Sequence, residues 1–151
     1  MARRWSGRGP RCHRLRARSV RFADTSFWFG LQERRDGRHE QAKALVERGV
    51  GRVITTNHVV GETWTLLRRR SGHPAAVGFL DRLGALKDVE VVHVDEATEA
   101  EAWRWLRGRP EREYSFVDAI SFAVMRRRRI REALAFDGDF NAAGFVEVRA
   151  G

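Results

Sequence analysis

Four acidic side chains stand out by their settings: Asp24 in "VRFAD", Glu62 in "VVGETW", Asp118 in "SFVDAISFAVM" and Asp137 in "ALAFDGD". An ionised carboxylate among apolar neighbours is costly unless donors or a cation compensate it. Each acid has a local explanation. Ser115-x-x-Asp118 has the spacing of a capping box, in which serine and carboxylate satisfy each other's backbone amides. Asp24 suits the cap of a following helix, and Asp137 begins the turn sequence "DGD". Glu62 shares a polar stripe with His58 and Thr65, as on a solvated helix face.

The chemistry changes if the four meet. Like charges at close range force protonation unless a cation intervenes, and hard oxygen donors select Mg2+ or Mn2+. Such a centre suits metal-assisted hydrolysis of a phosphodiester, with a bound water made acidic and charge on the phosphate offset. Ser26 is a supporting candidate that would orient a ligand or water near Asp24, and Asp139 is a supporting or second-metal candidate. Other nucleophiles lack partners: Ser26 and Ser121 have no evident His/Asp pair, and Lys43 and Lys87 lie in amphipathic or loop contexts. His58 and Glu62 are spaced i, i+4, but no further histidine completes a zinc set.

The elements that would bring the acids together follow from hydrophobic periodicity. Strand patterns at 20–24, 52–56, 89–94, 132–136 and 146–148 alternate with helical patterns at 25–35, 38–48, 57–70, 73–86, 95–109 and 115–129. Alternation of this kind predicts an α/β/α sandwich with four or five mainly parallel strands. Asn57, Asp95 and Ser115 are the expected caps, and Ala42, Leu45 and Val46 the inner face of the second helix. In a parallel sheet, the strand C-termini and the N-termini of the following helices share one edge, where ligands bind. Asp24, Glu62, Asp118 and Asp137 all fall there.

Composition fits this plan. A chain of 151 residues with 42% hydrophobic content suits one folded domain. Cys12 is the sole cysteine, and no apolar run approaches the ~20 residues of a membrane helix; a cytoplasmic protein with no membrane partner is expected. The net charge of +9 is unevenly placed, because residues 1–21 hold eight arginines and no acid. Of 29 basic residues 21 then remain against 20 acidic ones, a net of +1. Residues 1–19 read as a basic arm with no catalytic role, either a disordered tail or the product of an upstream start ahead of Val20; residues 20–149 read as the folded domain.

Taken in order, "FADTSFW", "VVGETWTLL", "SFVDAISFAVM" and "ALAFDGDF" resemble the PIN-domain ribonucleases, specifically the VapC-type toxins of toxin–antitoxin pairs. The resemblance implies an acidic quartet of Asp24, Glu62, Asp118 and Asp137 around Mg2+ or Mn2+. Asp24 and Asp118 would be the principal ligands, and Glu62 and Asp137 would act as ligands, in water orientation or in proton transfer. It further implies cleavage of single-stranded regions in structured RNA, often transfer or ribosomal RNA. A cognate antitoxin protein would cover the site, and the chain would form homodimers. Where many relatives carry Thr or Ser two residues before the fourth acid, this chain has Ala135.

Rival readings have specific defects. An aspartyl-nucleophile phosphatase would want a second Asp where Ser26 stands, and a metal-dependent adhesion motif is broken by Trp28. A non-catalytic PIN-like RNA-binding module is hard to reconcile with an intact quartet. RNA engagement also needs cations. Arg68 to Arg70, Arg126 to Arg129 and Arg131 sit toward helix C-termini, away from the acidic edge. Arg34, Arg35 and Arg112 are better placed. Trp64, Trp103 and Trp105 read as core or dimer-interface residues.

Overall fold

The computed structural model describes residues 18–151; most of the basic arm lies outside the described residues. Five strands form one fully parallel sheet: β1 (Val20–Ala23), β2 (Arg52–Thr56), β3 (Val89–Val92), β4 (Glu132–Leu134) and β5 (Val146–Glu147), in the order β3-β2-β1-β4-β5. Seven helices connect them: α1 (Thr25–Gln32), α2 (His39–Arg48), α3 (Asn57–Arg70), α4 (His73–Ala85), α5 (Glu96–Arg107), α6 (Phe116–Arg128) and the single turn α7 (Asp139–Ala142).

The sheet is buried on both faces, which is why its strands read as apolar runs rather than as alternating ones. On one face Val53 and Val89 line an apolar pocket together with Trp28 and Leu31 of α1 and Leu86 at the end of α4. On the opposite face Phe22 stacks on Phe140 of α7, which meets Phe122 of α6 edge-on. Phe122 also packs against Trp105, Tyr114 and Phe145, so one ring joins α5, α6 and the C-terminal segment. Helix α3 touches α1, α4 and α6.

The chain starts in the middle of the sheet, builds outward to β3, then returns past β1 to lay down β4 and β5. The order therefore reverses between β1 and β4, and the connections leaving these two strands diverge. A crevice opens outside their C-terminal ends, the usual ligand position in such sheets.

Local chemistry corrects several expected boundaries. The cap of α3 is Thr56, whose hydroxyl accepts from Val59 N at 3.1 Å, and not Asn57. The Asn57 Oδ1 instead accepts from Val94 N, so β3 stops at Val92. Helix α1 ends at Gln32 rather than Arg35, because the Glu33 carboxylate accepts from Arg35 N and from Ser71 Oγ and turns the chain. Strand β4 is short because Phe136 N donates to Ser26 Oγ and leaves the ladder. Val46 lies on the exposed side of α2, whereas Ala42 and Leu45 are buried as expected. Trp28, which stands near Asp24, is a core residue whose indole N–H donates to Thr55 Oγ1.

Among the described residues, no helix is long and apolar enough to cross a membrane.

Gly51 fixes how β1 and β2 enter the sheet. Its φ is +73°, and a Cβ there would stand 2.3 Å from the carbonyl oxygen of Ser19, the group that accepts from Arg52 N. The obstructing atom is backbone held by that hydrogen bond, so it has little room to yield. Gly51→Ala is expected to destabilise the fold by about 2–4 kcal/mol, read as a lowered denaturant midpoint; an unchanged midpoint would refute this account of the strand entry.

Candidate metal centre

The crevice between β1 and β4 collects acids from three directions. Asp24 follows β1, Asp118 lies in the first turn of α6, and Asp137 and Asp139 flank Gly138 between β4 and α7. One oxygen each from Asp118, Asp137 and Asp139 lies within 4.8 Å of the others. Asp24 is close enough that the charges of Asp137 and Asp118 act on it.

Each of these acids does two jobs with two oxygens. Asp118 Oδ2 accepts from Ser115 N at 2.8 Å while Ser115 Oγ accepts from Asp118 N at 3.0 Å, so the expected capping box is present. Asp24 Oδ2 takes the Ser26 amide at 3.1 Å and the Ser26 hydroxyl at 2.9 Å, capping α1. Asp137 Oδ1 takes the Asp139 amide, and Asp139 Oδ1 takes Arg112 Nε. In every case the second oxygen accepts no hydrogen bond from the described residues. Local contacts at Asp24, Asp118 and Asp137, and Arg112 at Asp139, fix four carboxylates in orientation and leave four oxygens uncommitted.

The electrostatics record the strain of this arrangement. Burial first, and then Asp137, push the carboxyl of Asp24, 3% exposed, up to about 7 against the donors of Ser26. Burial raises Asp118 to about 6, with Asp139 and Asp137 adding to it and Ser115 opposing it. Asp137, at the exposed lip, is raised by the protein bulk beneath it, then by Asp139 and by Glu147. An all-oxygen donor set whose members resist ionising together fits Mg2+ or Mn2+.

Ser26 supports the site in a more definite way than a ligand-orienting hydroxyl would. It donates to Asp24 and accepts from Phe136 N at 3.0 Å, tying the end of β1 to the segment after β4. Asp139, rated below the quartet from sequence, belongs to the closest group of oxygens. Glu62 lies on the exposed side of α3, outside that group, and makes no hydrogen bond or ion pair among the described residues. His58 pairs with Glu99 rather than Glu62, at 3.4 Å.

Glu147 was not foreseen. It is buried on β5, Arg149 Nη2 holds its Oε2 at 2.6 Å, and its charge reaches Asp137. Only a pairing of β5 with β4 puts it there, and "VEV" carries no such signal. Ala135, in the place of the hydroxyl common among the resembled family, is fully buried and its carbonyl accepts from Arg149 Nη1 at 2.7 Å.

Asp24 and Asp118 retain protons in the folded chain that the unfolded chain has released above its ordinary carboxylate pKa. Without divalent metal, stability therefore falls as pH rises from about 4 toward 7, by on the order of 4 kcal/mol for Asp24 alone. Thermal melts in chelator are expected to show a lower midpoint at pH 7.5 than at pH 5, and Asp24→Asn to flatten that slope. A midpoint that climbs with pH would contradict the assignment.

Comparisons with known proteins bear on what this crevice is. The chain matches the PIN domain family over residues 21–146. It is 57% identical over 129 residues to the 23S rRNA-specific endonuclease VapC20 of Mycobacterium tuberculosis strains CDC 1551 and H37Rv, spanning 85% of this chain and 97% of that protein. It is 28% identical over 123 residues to a VapC ribonuclease of Archaeoglobus fulgidus, spanning 78% of this chain and 77% of that one. The crystal structure of Mycobacterium tuberculosis VapC20, described as a Sarcin-Ricin loop cleaving toxin, aligns with a TM-score of 0.82 and 55% identity. It covers 87% of this chain and 99% of that chain. With the sheet order, the acidic crevice and the family match in agreement over most of its length, this chain belongs to the PIN domain family.

Proposed function

We propose that this protein is a metal-dependent endoribonuclease, the toxin of a toxin–antitoxin pair, acting on the sarcin–ricin loop of 23S rRNA. The observation that carries this reading is the set of four carboxylates at the β1/β4 crevice, each with one oxygen held by a hydrogen-bond donor and the other accepting none from the described residues. The substrate follows from the 57% identical relative named for 23S rRNA cleavage. A cognate antitoxin protein, a homodimeric assembly and a place in the cytoplasm, where ribosomes are, complete the reading.

Asp24, Asp118 and Asp137 would hold Mg2+ or Mn2+, with Asp139 beside them. When bound, that ion makes a water acidic enough to attack the phosphate and offsets the charge that develops there. The chain supplies the rest. Ser26 and Ser115 keep two carboxylates aimed into the crevice, and their donors favour the ionised forms that burial opposes. Glu62, which the resemblance would assign to water orientation or proton transfer, faces solvent on the second turn of α3, outside the closest group of acids. Preformed carboxylates need little rearrangement when the phosphate arrives.

Incubation of the full chain with 23S rRNA and Mg2+ or Mn2+ is expected to cut within the sarcin–ricin loop. Asp118→Asn or added chelator is expected to lower the rate by about a hundredfold or more. Undiminished cutting by Asp118→Asn would remove the proposed centre. Phosphate release from a small monoester, with the RNA left whole, would favour an aspartyl phosphatase instead.

A further inference from the structure

Four ionised carboxylates outweigh the charge of one divalent ion, so a further cation beside the acids would favour the approach of the phosphate. The arginine runs are elsewhere. Arg126 and Arg127 pair with Glu101 and Arg128 with Glu90, at the far end of α6 from Asp118, ten residues and about 15 Å along the helix. Arg34 and Arg35 follow the end of α1, whose start carries Asp24. Arg68 to Arg70 close α3. Arg112, in the loop between α5 and α6, is the cation that ion-pairs with this group of acids among the described residues.

We propose that Arg112 is a phosphate-binding residue of this site, its guanidinium anchored on Asp139 and presenting its remaining N–H groups to a non-bridging oxygen of the RNA phosphate. The anchoring is specific. Arg112 Nε donates to Asp139 Oδ1 at 2.5 Å, and the guanidinium carbon stands 5.9 Å from the centre of the Tyr114 ring. Nη2 lies over Gly138, 3.5 Å from where a Cβ would be, so the fork spans the Asp137-Gly138-Asp139 turn. The side chain is 41% exposed, and its two Nη groups donate to no described residue. One edge of the guanidinium is thus held while the other faces the crevice mouth, a division that suits a planar fork and not the single point of a lysine.

The inference rests on reading the crevice as an RNA site, and it is tested by binding as well as by cutting. A labelled stem-loop carrying the sarcin–ricin sequence is titrated with chains in an Asp118→Asn background, which keeps the RNA whole. Adding Arg112→Ala is expected to weaken binding about tenfold and to lower the salt dependence by about one phosphate contact, with Arg112→Lys recovering only part. Arg109→Ala is the control for charge alone: that arginine sits in the same loop but stacks over Trp105 at 5.1 Å, and its loss is expected to change binding less than twofold. Mn2+ affinity, measured without RNA on chains with Asp118 intact, is expected to fall far less than RNA affinity in Arg112→Ala, since Asp24, Asp118 and Asp137 keep their own donors. Equal losses for Arg109→Ala and Arg112→Ala would overturn the proposal. So would a fall in RNA affinity matched by a fall in Mn2+ affinity, which would make Arg112 a support for Asp139. A wild-type chain that leaves RNA uncut, while Arg112→Ala still lowers binding, would retire the nuclease reading and keep the phosphate contact.

Discussion

Mutual repulsion among Asp24, Asp118, Asp137 and Asp139 is the constraint to which the rest of the molecule answers. A flexible surface would relieve it by moving the charges apart. This fold instead fixes each carboxylate through one oxygen, using Ser26, Ser115, the Asp139 amide and Arg112 as partners. Burial first, and the neighbouring acids second, raise the carboxyl groups to about 7 at Asp24 and about 6 at Asp118. A site strained in that way has a strong preference for bound cations over water, and the strain is relieved by whatever positive charge enters.

Holding the acids still requires rigid elements on both sides of the crevice. Phe22 to Phe140 to Phe122 forms a continuous apolar contact from β1 through α7 to α6, so three of the acid-bearing segments share one packed layer. Ser26 adds a polar link between the ends of β1 and β4. The reversal of strand order between β1 and β4 supplies the opening, since neighbouring connections leave to opposite sides. Function is confined to the place where the topology leaves room, while the packing around it resists collapse.

The relatives fit this division between scaffold and rim. The 57% identity to a 23S rRNA-specific endonuclease spans 85% of this chain, more than either the sheet or the rim alone. At Ala135 only the backbone carbonyl makes a polar contact, accepting from Arg149, which also holds Glu147 behind Asp137. Arg112 connects the two regions: it stabilises an acid of the rim and extends beyond it toward solvent.

Much of this was readable from the chain. The alternation of apolar periods determined a parallel α/β sheet, the Ser115-x-x-Asp118 spacing determined its capping box, and the four quoted motifs determined the family, because short-range patterns encode caps and buried strands directly. Rank among the acids was not readable. Asp139 joins the closest oxygens because Gly138, at φ +84°, turns it back beside Asp137, whereas Glu62 stays on an exposed helix face. The choice of Thr56 over Asn57 as cap was decided by Val94, 37 residues further on, which took the Asn57 side chain. Sequence determined which residues could bear charge at the edge of the sheet. Only the tertiary structure decided which of their oxygens were already occupied, because that depends on partners brought close by packing and not by spacing.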